Sequence, residues 1–219
     1  MMGFKKISRR AAPALAVLCI LLLAACGGPD VDDKALLERG RTYLHENKIN
    51  AAAIEFRNAL QVNPENAEAR YLLGSINLQF GDFATAEKEF LRAGKAGWDA
   101  AESLTGVALS LLGQDALRKL LNQVGISETY SATERANLLA LRALAEAGLG
   151  NLEQAELVLG EAETLDPGAL QVLKVRLQLE LAQGYLEKAR ETLATGLEKY
   201  PDQAELLLLG GNLARESGD

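Results

Sequence analysis

From residue 33 onward, apolar and small residues recur at helical spacing, and a longer period is laid over that helical one. Setting residues 33–66 over residues 67–100 brings Gly40 onto Gly74, Ala52 onto Ala86, Phe56 onto Phe90 and Ala59 onto Ala93, a step of 34 residues. The same step separates Gly150, Gly184 and Gly218, then Ala155 and Ala189, then Pro167 and Pro201. A fixed period of this length with a helical pattern inside it predicts a helix–turn–helix solenoid. The fold class expected is all-α.

The pattern divides the chain into five full repeats and part of a sixth: 33–66, 67–100, 101–135, 136–169, 170–203 and 204–219. Repeat 1 starts a helix at Asp32 or Asp33, turns around residues 47–50, and ends its second helix before Asn63 and Pro64. Repeat 2 turns at Gly81 and Asp82, and Trp98 stands where the other repeats carry proline. A hydrophobic plug at the repeat junction is the role favoured for Trp98 over a ligand contact. Repeat 3 is irregular: Gly113 arrives two residues early, the second helix is confined to residues 115–124, and a polar stretch, 125–133, follows. That stretch reads equally as a decayed loop or as a binding loop or hinge. The last segment is a first helix that stops at its turn glycine, Gly218. Leu206 to Leu209 then present apolar side chains that a following helix would cover, so the chain is expected to be the N-terminal part of a longer repeat protein.

The residues at the fixed positions resemble the tetratricopeptide repeat (TPR). In the first repeat they are Leu36, Gly40, Tyr43, Ala52, Phe56, Ala59 and Pro64. The resemblance implies a right-handed superhelix of about five and a half repeats with a degenerate third. It further implies a concave face supplied by the second, fifth, ninth and twelfth residues of each first helix. Carried onto this register, that face includes Lys34, Arg41, Glu68, Ser75, Glu102, Thr105, Asn137, Gln171, Lys174, Gln178, Glu205, Asn212 and Arg215, with leucines such as Leu109, Leu144 and Leu208 between them and Tyr71 as the aromatic anchor. No cluster of Lys and Arg stands among them, so capture of a ligand mainly by charge is not expected.

The first 25 residues require separate treatment. Lys5, Lys6, Arg9 and Arg10 precede a 15-residue apolar run, residues 11–25, which is short for a membrane span. The run ends in Leu23-Ala24-Ala25-Cys26, which resembles a bacterial lipobox. Residues 1–25 are then a lipoprotein signal, Cys26 is the acylated first mature residue, and residues 26–32 form a short tether. Multiple acyl chains on one cysteine are enough for stable anchoring. Gly27 rather than Asp after that cysteine implies outer-membrane sorting, with the protein facing the periplasm.

Composition supports this picture. Of 219 residues 48% are hydrophobic and only 5% aromatic, with Ala, Leu and Glu abundant. Losing the four basic residues of the leader leaves 19 Lys and Arg against 30 Asp and Glu, a net charge of −11. Nucleic acid is therefore a poor partner, and so is an anionic membrane surface. Cys19 leaves with the leader and the Cys26 thiol is acylated, so helix packing alone must hold the fold. A single histidine, His45, excludes a multi-histidine metal site, and no nucleophile or phosphate-loop motif occurs. The pairs Glu87/Glu89 and Glu161/Glu163 read as solvated helix faces. The expectation is a protein that is not an enzyme, with no cofactor, no metal and no small-molecule substrate.

One further resemblance concerns the wider sequence. Ala51-Ala52-Ala53-Ile54-Glu55-Phe56-Arg57-Asn58-Ala59-Leu60-Gln61, Pro64-Glu65-Asn66-Ala67-Glu68-Ala69-Arg70 and Gly81-Asp82-Phe83-Ala84-Thr85-Ala86-Glu87-Lys88-Glu89 resemble the TPR lipoproteins of the PEP-CTERM exosortase system. That resemblance implies an envelope scaffold that binds proteins in exopolysaccharide production and PEP-CTERM protein sorting. The alternatives are a pilot or assembly lipoprotein for a machine such as the type IV pilus secretin, and direct binding of a polysaccharide chain.

Overall fold

The computed structural model describes residues 32–217. The leader, Cys26 with most of its tether, and Gly218 lie outside the described residues. Among the described residues there are eleven α-helices, taken in antiparallel pairs. They are α1 (Asp33–His45), α2 (Ile49–Val62), α3 (Ala67–Gln79), α4 (Phe83–Lys95), α5 (Ala100–Gly113) and α6 (Leu117–Gln123). Then come α7 (Ala132–Gly148), α8 (Leu152–Leu165), α9 (Leu170–Ala182), α10 (Leu186–Lys199) and α11 (Ala204–Ser217).

Short polar residues start the helices by occupying backbone N–H groups that have no partner inside the helix. Asp32, Asn66, Asp82 and Asp99 each accept one such N–H, from Lys34, Ala69, Thr85 and Glu102. Ser131 and Glu134 form a reciprocal capping box at the start of α7. Within each repeat the two helices are joined by one residue of left-handed φ: Asn47, Gly81, Asp115, Gly150 and Gly184. Glycine adopts that conformation without a side-chain penalty, and Asn and Asp tolerate it best among the rest. Asp115, not Gly113, is therefore the turn residue of the third repeat.

The fixed small positions let helices touch. Ala52, Ala86, Ala155 and Ala189 are all fully buried, as are Ala59, Ala93 and Ala162. Gly40 lies against the Phe56 ring so closely that a Cβ there would overlap a ring carbon. Phe90 is gripped by two repeats, facing Gly74 in its own and Gly106 in the next. Burial is distributed over four successive apolar clusters along the stack, each shared by neighbouring repeats. This is how a solenoid is stabilised, through repeat and interface terms in place of one centre.

The third repeat departs from the pattern for a visible reason. Leu120 and Val124 replace the usual alanine and aromatic, and α6 has only seven residues, stopping at Gln123. The expected helix over 115–124 is shorter at both ends because Asp115 forms the turn and Gly125 follows Val124. Arg142, on α7, donates through Nη1 to the carbonyls of Leu121 and Val124, each at 2.8 Å. A guanidinium thus satisfies carbonyls that a longer helix would have paired internally. Ile126 and Tyr130 pack on the adjoining core, so the segment after α6 is anchored.

Buried charge also stitches the repeats together. Glu87 and Glu89 are 8% and 7% exposed, which overturns their reading as a solvated face. Glu87 accepts from Lys119 at 2.7 Å and Gln114 at 3.1 Å; Glu89 accepts from Arg70 at 2.8 Å and Arg92 at 3.2 Å. Arg176 bridges Glu156 and Glu163, which raises its pKa. Charges buried this far must be paired, and in each of these clusters at least one partner comes from a different helix.

Candidate functional site

The first helices of successive repeats, α3, α5, α7, α9 and α11, touch one another in order and form the inner face of the stack. Two adjoining chambers open on it. The first, about 310 Å³, lies between α3, α5 and α7 and is lined by Tyr71, Ser75, Leu78, Phe90, Glu102, Thr105, Leu109, Glu134 and Asn137, among others. The second, about 280 Å³, lies between α5, α7, α9 and α11 and is lined by Leu109, Leu112, Leu141, Leu144, Gln171, Lys174, Val175, Gln178, Glu205, Leu208 and Leu209. Leu109 belongs to both, so the two are one groove with a leucine ridge.

In the first chamber Tyr71 is half-buried. Its ring meets Phe90 edge-on, with centroids 5.5 Å apart, and stacks on Trp98 at 4.8 Å and 22°. The Trp98 indole N–H donates to Glu102 Oε2 at 2.9 Å. Trp98 packs half-buried at the repeat junction, lines neither chamber, and backs the aromatic anchor of the groove. Burial, with Glu102 and Asp99 nearby, raises the Tyr71 phenol above its usual value, so its hydroxyl stays a neutral donor. Ser75 donates to the Tyr71 carbonyl at 3.0 Å, and Asn137 Oδ1 accepts the backbone N–H of Gln171 at 3.0 Å. Asn137 thus lines the groove and joins two repeats.

The other expected groove residues divide sharply. Arg41 pairs with Glu68 of the next repeat and with Glu38, and hydrogen bonding to Glu68 raises its pKa. Its charge is already matched, and it lines neither chamber. Lys34 is exposed on the first turn of α1. Arg215 pairs with Asn212 three residues earlier, on α11 beyond the second chamber. Lys174 and Gln178 do come together in the second chamber, yet Lys174 is 7% exposed, far deeper than its surface register implied. Burial lowers its ammonium to about 8. Glu205, which pairs with it, has a side chain 57% exposed and offsets little of that cost. Leu112, Leu141, Leu208 and Leu209 complete the chamber. Leu208 occupies an expected groove position, as do Leu109 and Leu144, whereas Leu112, Leu141 and Leu209 enter the chamber where four helices cross.

Among the described residues no three His, Cys, Asp or Glu side chains converge to hold a metal ion. No described helix is long and apolar enough to cross a membrane. What the geometry offers is an open, mixed-polarity groove suited to an extended or helical protein segment.

Stacked helix pairs with a shared groove define a helical-repeat solenoid. The family model of the tetratricopeptide repeat matches residues 37–101. Solved structures extend the fold likeness along most of the chain. A thermophilic TPR protein of Thermus thermophilus is similar at 22% identity and TM-score 0.61, covering 83% of this chain and 98% of that one. The pilF protein of Pseudomonas aeruginosa is similar at 21% identity and TM-score 0.56, covering 85% of each chain. YrrB, a TPR protein with an unusual peptide-binding site, is similar at 19% identity and TM-score 0.51, covering 84% of this chain and 94% of that one. No curated protein matches the chain by sequence.

Proposed function

We propose that this chain is a lipid-anchored envelope scaffold that docks a protein partner in the groove of its inner face. It carries out no reaction of its own. The observation that carries the docking reading is the pair of chambers joined at Leu109, built along five consecutive first helices. TPR proteins in general mediate contacts between proteins, and the peptide-binding site of YrrB lies on the same fold. The anchor rests on the Leu23-Ala24-Ala25-Cys26 sequence, with Gly27 favouring the outer membrane and a periplasm-facing solenoid. The pathway rests on the resemblance to the PEP-CTERM exosortase lipoproteins: the partner belongs to a machine for exopolysaccharide export and protein sorting.

Crosslinking and affinity capture from envelopes tests this, with the wild-type lipoprotein beside a Leu109→Asp variant that places a charge on the ridge between the chambers. Polysaccharide-export or exosortase-linked components are expected with the wild type and lost with the variant. Recovery of a pilus secretin instead would replace the pathway with the pilot reading while keeping the groove. Equal recovery by both proteins would refute docking in the groove.

A further inference from the structure

The second chamber has a chemistry that the scaffold role alone does not require. Its walls are leucines and a valine, and at its side stands one ammonium, Lys174, whose side chain is 9% exposed. Among the described residues that line the two chambers, Lys174 is the one cation, while Glu102, Glu134 and Glu205 are anionic. A lysine ammonium has three donors. Glu205, reaching from the first turn of α11, is the carboxylate that meets it, and that carboxylate is more than half in solvent. Repeat packing does not need this arrangement, since replacing a buried ion pair by apolar residues is often neutral or stabilising.

We propose that the second chamber reads an acidic side chain set beside an aliphatic one within a partner segment, and that Glu205 is the protein's own stand-in for that acidic side chain. The leucine walls take the aliphatic neighbour, and Lys174 takes the carboxylate as Glu205 swings into water. The groove continues through Leu109 into a chamber carrying Glu102, Glu134 and the Tyr71 hydroxyl. A segment passing through is therefore acidic only at the Lys174 end, and a basic or neutral polar residue suits the other. Because the inner face runs on past the second chamber along α11, an internal acidic residue fits better than a chain end. This inference rests on the docking reading above.

The test is a selection of short random peptides, displayed with both ends fused, on the full-length chain. The affinity of the best peptide and of its Asp→Asn or Glu→Gln counterpart is then measured by fluorescence anisotropy. Enriched peptides are expected to carry Asp or Glu next to Leu or Ile. The amide counterpart should bind about tenfold more weakly, the scale of one charge-assisted hydrogen bond. Glu205→Gln should tighten the acidic peptide about threefold or more and leave the amide peptide unchanged, since only the former competes with that carboxylate. Lys174→Met should erase the difference between the two peptides while aliphatic binding persists; circular dichroism checks that both variants fold. Groove-bound peptides, lost on Leu109→Asp but indifferent to the acid, would overturn this proposal and leave the docking reading intact. An acid preference that survives Lys174→Met, or that appears only for free C-terminal carboxylates, would also overturn it. If no enriched peptide is lost on Leu109→Asp, both readings fall.

Discussion

The Trp98 indole lies on the Tyr71 ring with centroids 4.8 Å apart and planes 22° from parallel. Tyr71 is on α3 and Trp98 just before α5, so this stack fixes the anchor of the groove to the junction of two repeats. Aromatic pairs contribute roughly 0.5–1.5 kcal/mol beyond the area they bury. Trp98→Ala is expected to destabilise the chain by about 2 kcal/mol, the stacking contribution plus part of the cost of emptying a half-buried site. Urea unfolding should show this as a lower midpoint. Trp98 is the sole tryptophan, so its emission also reports on the first chamber. A ligand seated against Tyr71 should shift that emission, and a ligand on the outer helices should not.

Two glycines on inner and outer helices predict opposite signs for the same substitution. At Gly106 an added Cβ would stand 2.6 Å from the Phe90 ring, whose surroundings are closed. Gly106→Ala is expected to destabilise by about 1–3 kcal/mol through overpacking. At Gly160, inside α8, an added Cβ meets nothing within 4 Å. Gly160→Ala is expected to stabilise by about 0.5–1 kcal/mol, because alanine loses less backbone freedom on entering a helix. Thermal melts of the two variants check both signs.

Arg142 should control the irregular third repeat. Arg142→Met removes the donors to the Leu121 and Val124 carbonyls while keeping an apolar stem. A loss of about 2 kcal/mol is expected, the order of charge-assisted bonds plus stranded acceptors. Hydrogen exchange should speed up across residues 117–131 and leave α1 to α3 unchanged. Uniform acceleration through the chain would contradict the local role.

Lys174 gives the chain a pH signature. Its folded value, about 8, is below the ordinary 10.5, so through that window the unfolded chain holds a proton that the folded chain has lost. Stability should therefore rise as pH climbs from about 8 to 10.5, and the cost of charging the buried lysine is fully present below that window. The size is on the order of 3 kcal/mol. Comparison with Lys174→Met isolates this group from other titrations: the wild type should gain on the variant across the window. Parallel stability curves would contradict it.

The period of the sequence made the helix pairs legible because steric fit is local to a repeat. Gly40 under Phe56 and Gly74 under Phe90 are each a matched small and large residue within one pair of helices. The shape of the site was less legible, because the positions assigned to the groove depend on residues a whole repeat away. Glu68 neutralises Arg41 from the next repeat, and the Gln171 backbone occupies the Asn137 oxygen. Register alone places Lys174 on the inner face; only the crossing of α9 with α11 sets its depth. Glu87 and Glu89 looked like a solvated stripe because their cations, Lys119 and Arg70, come from other helices.

Site-specific photocrosslinking in cells tests whether a partner docks on the inner face. A photoreactive residue is placed at Thr105 or Leu208 on the inner helices, and at Ile54 or Leu157, both largely exposed on outer helices. Adducts to a protein partner are predicted from Thr105 and Leu208 and not from Ile54 or Leu157. Adducts confined to Ile54 and Leu157 would place the partner on the opposite face and rule out docking in the groove.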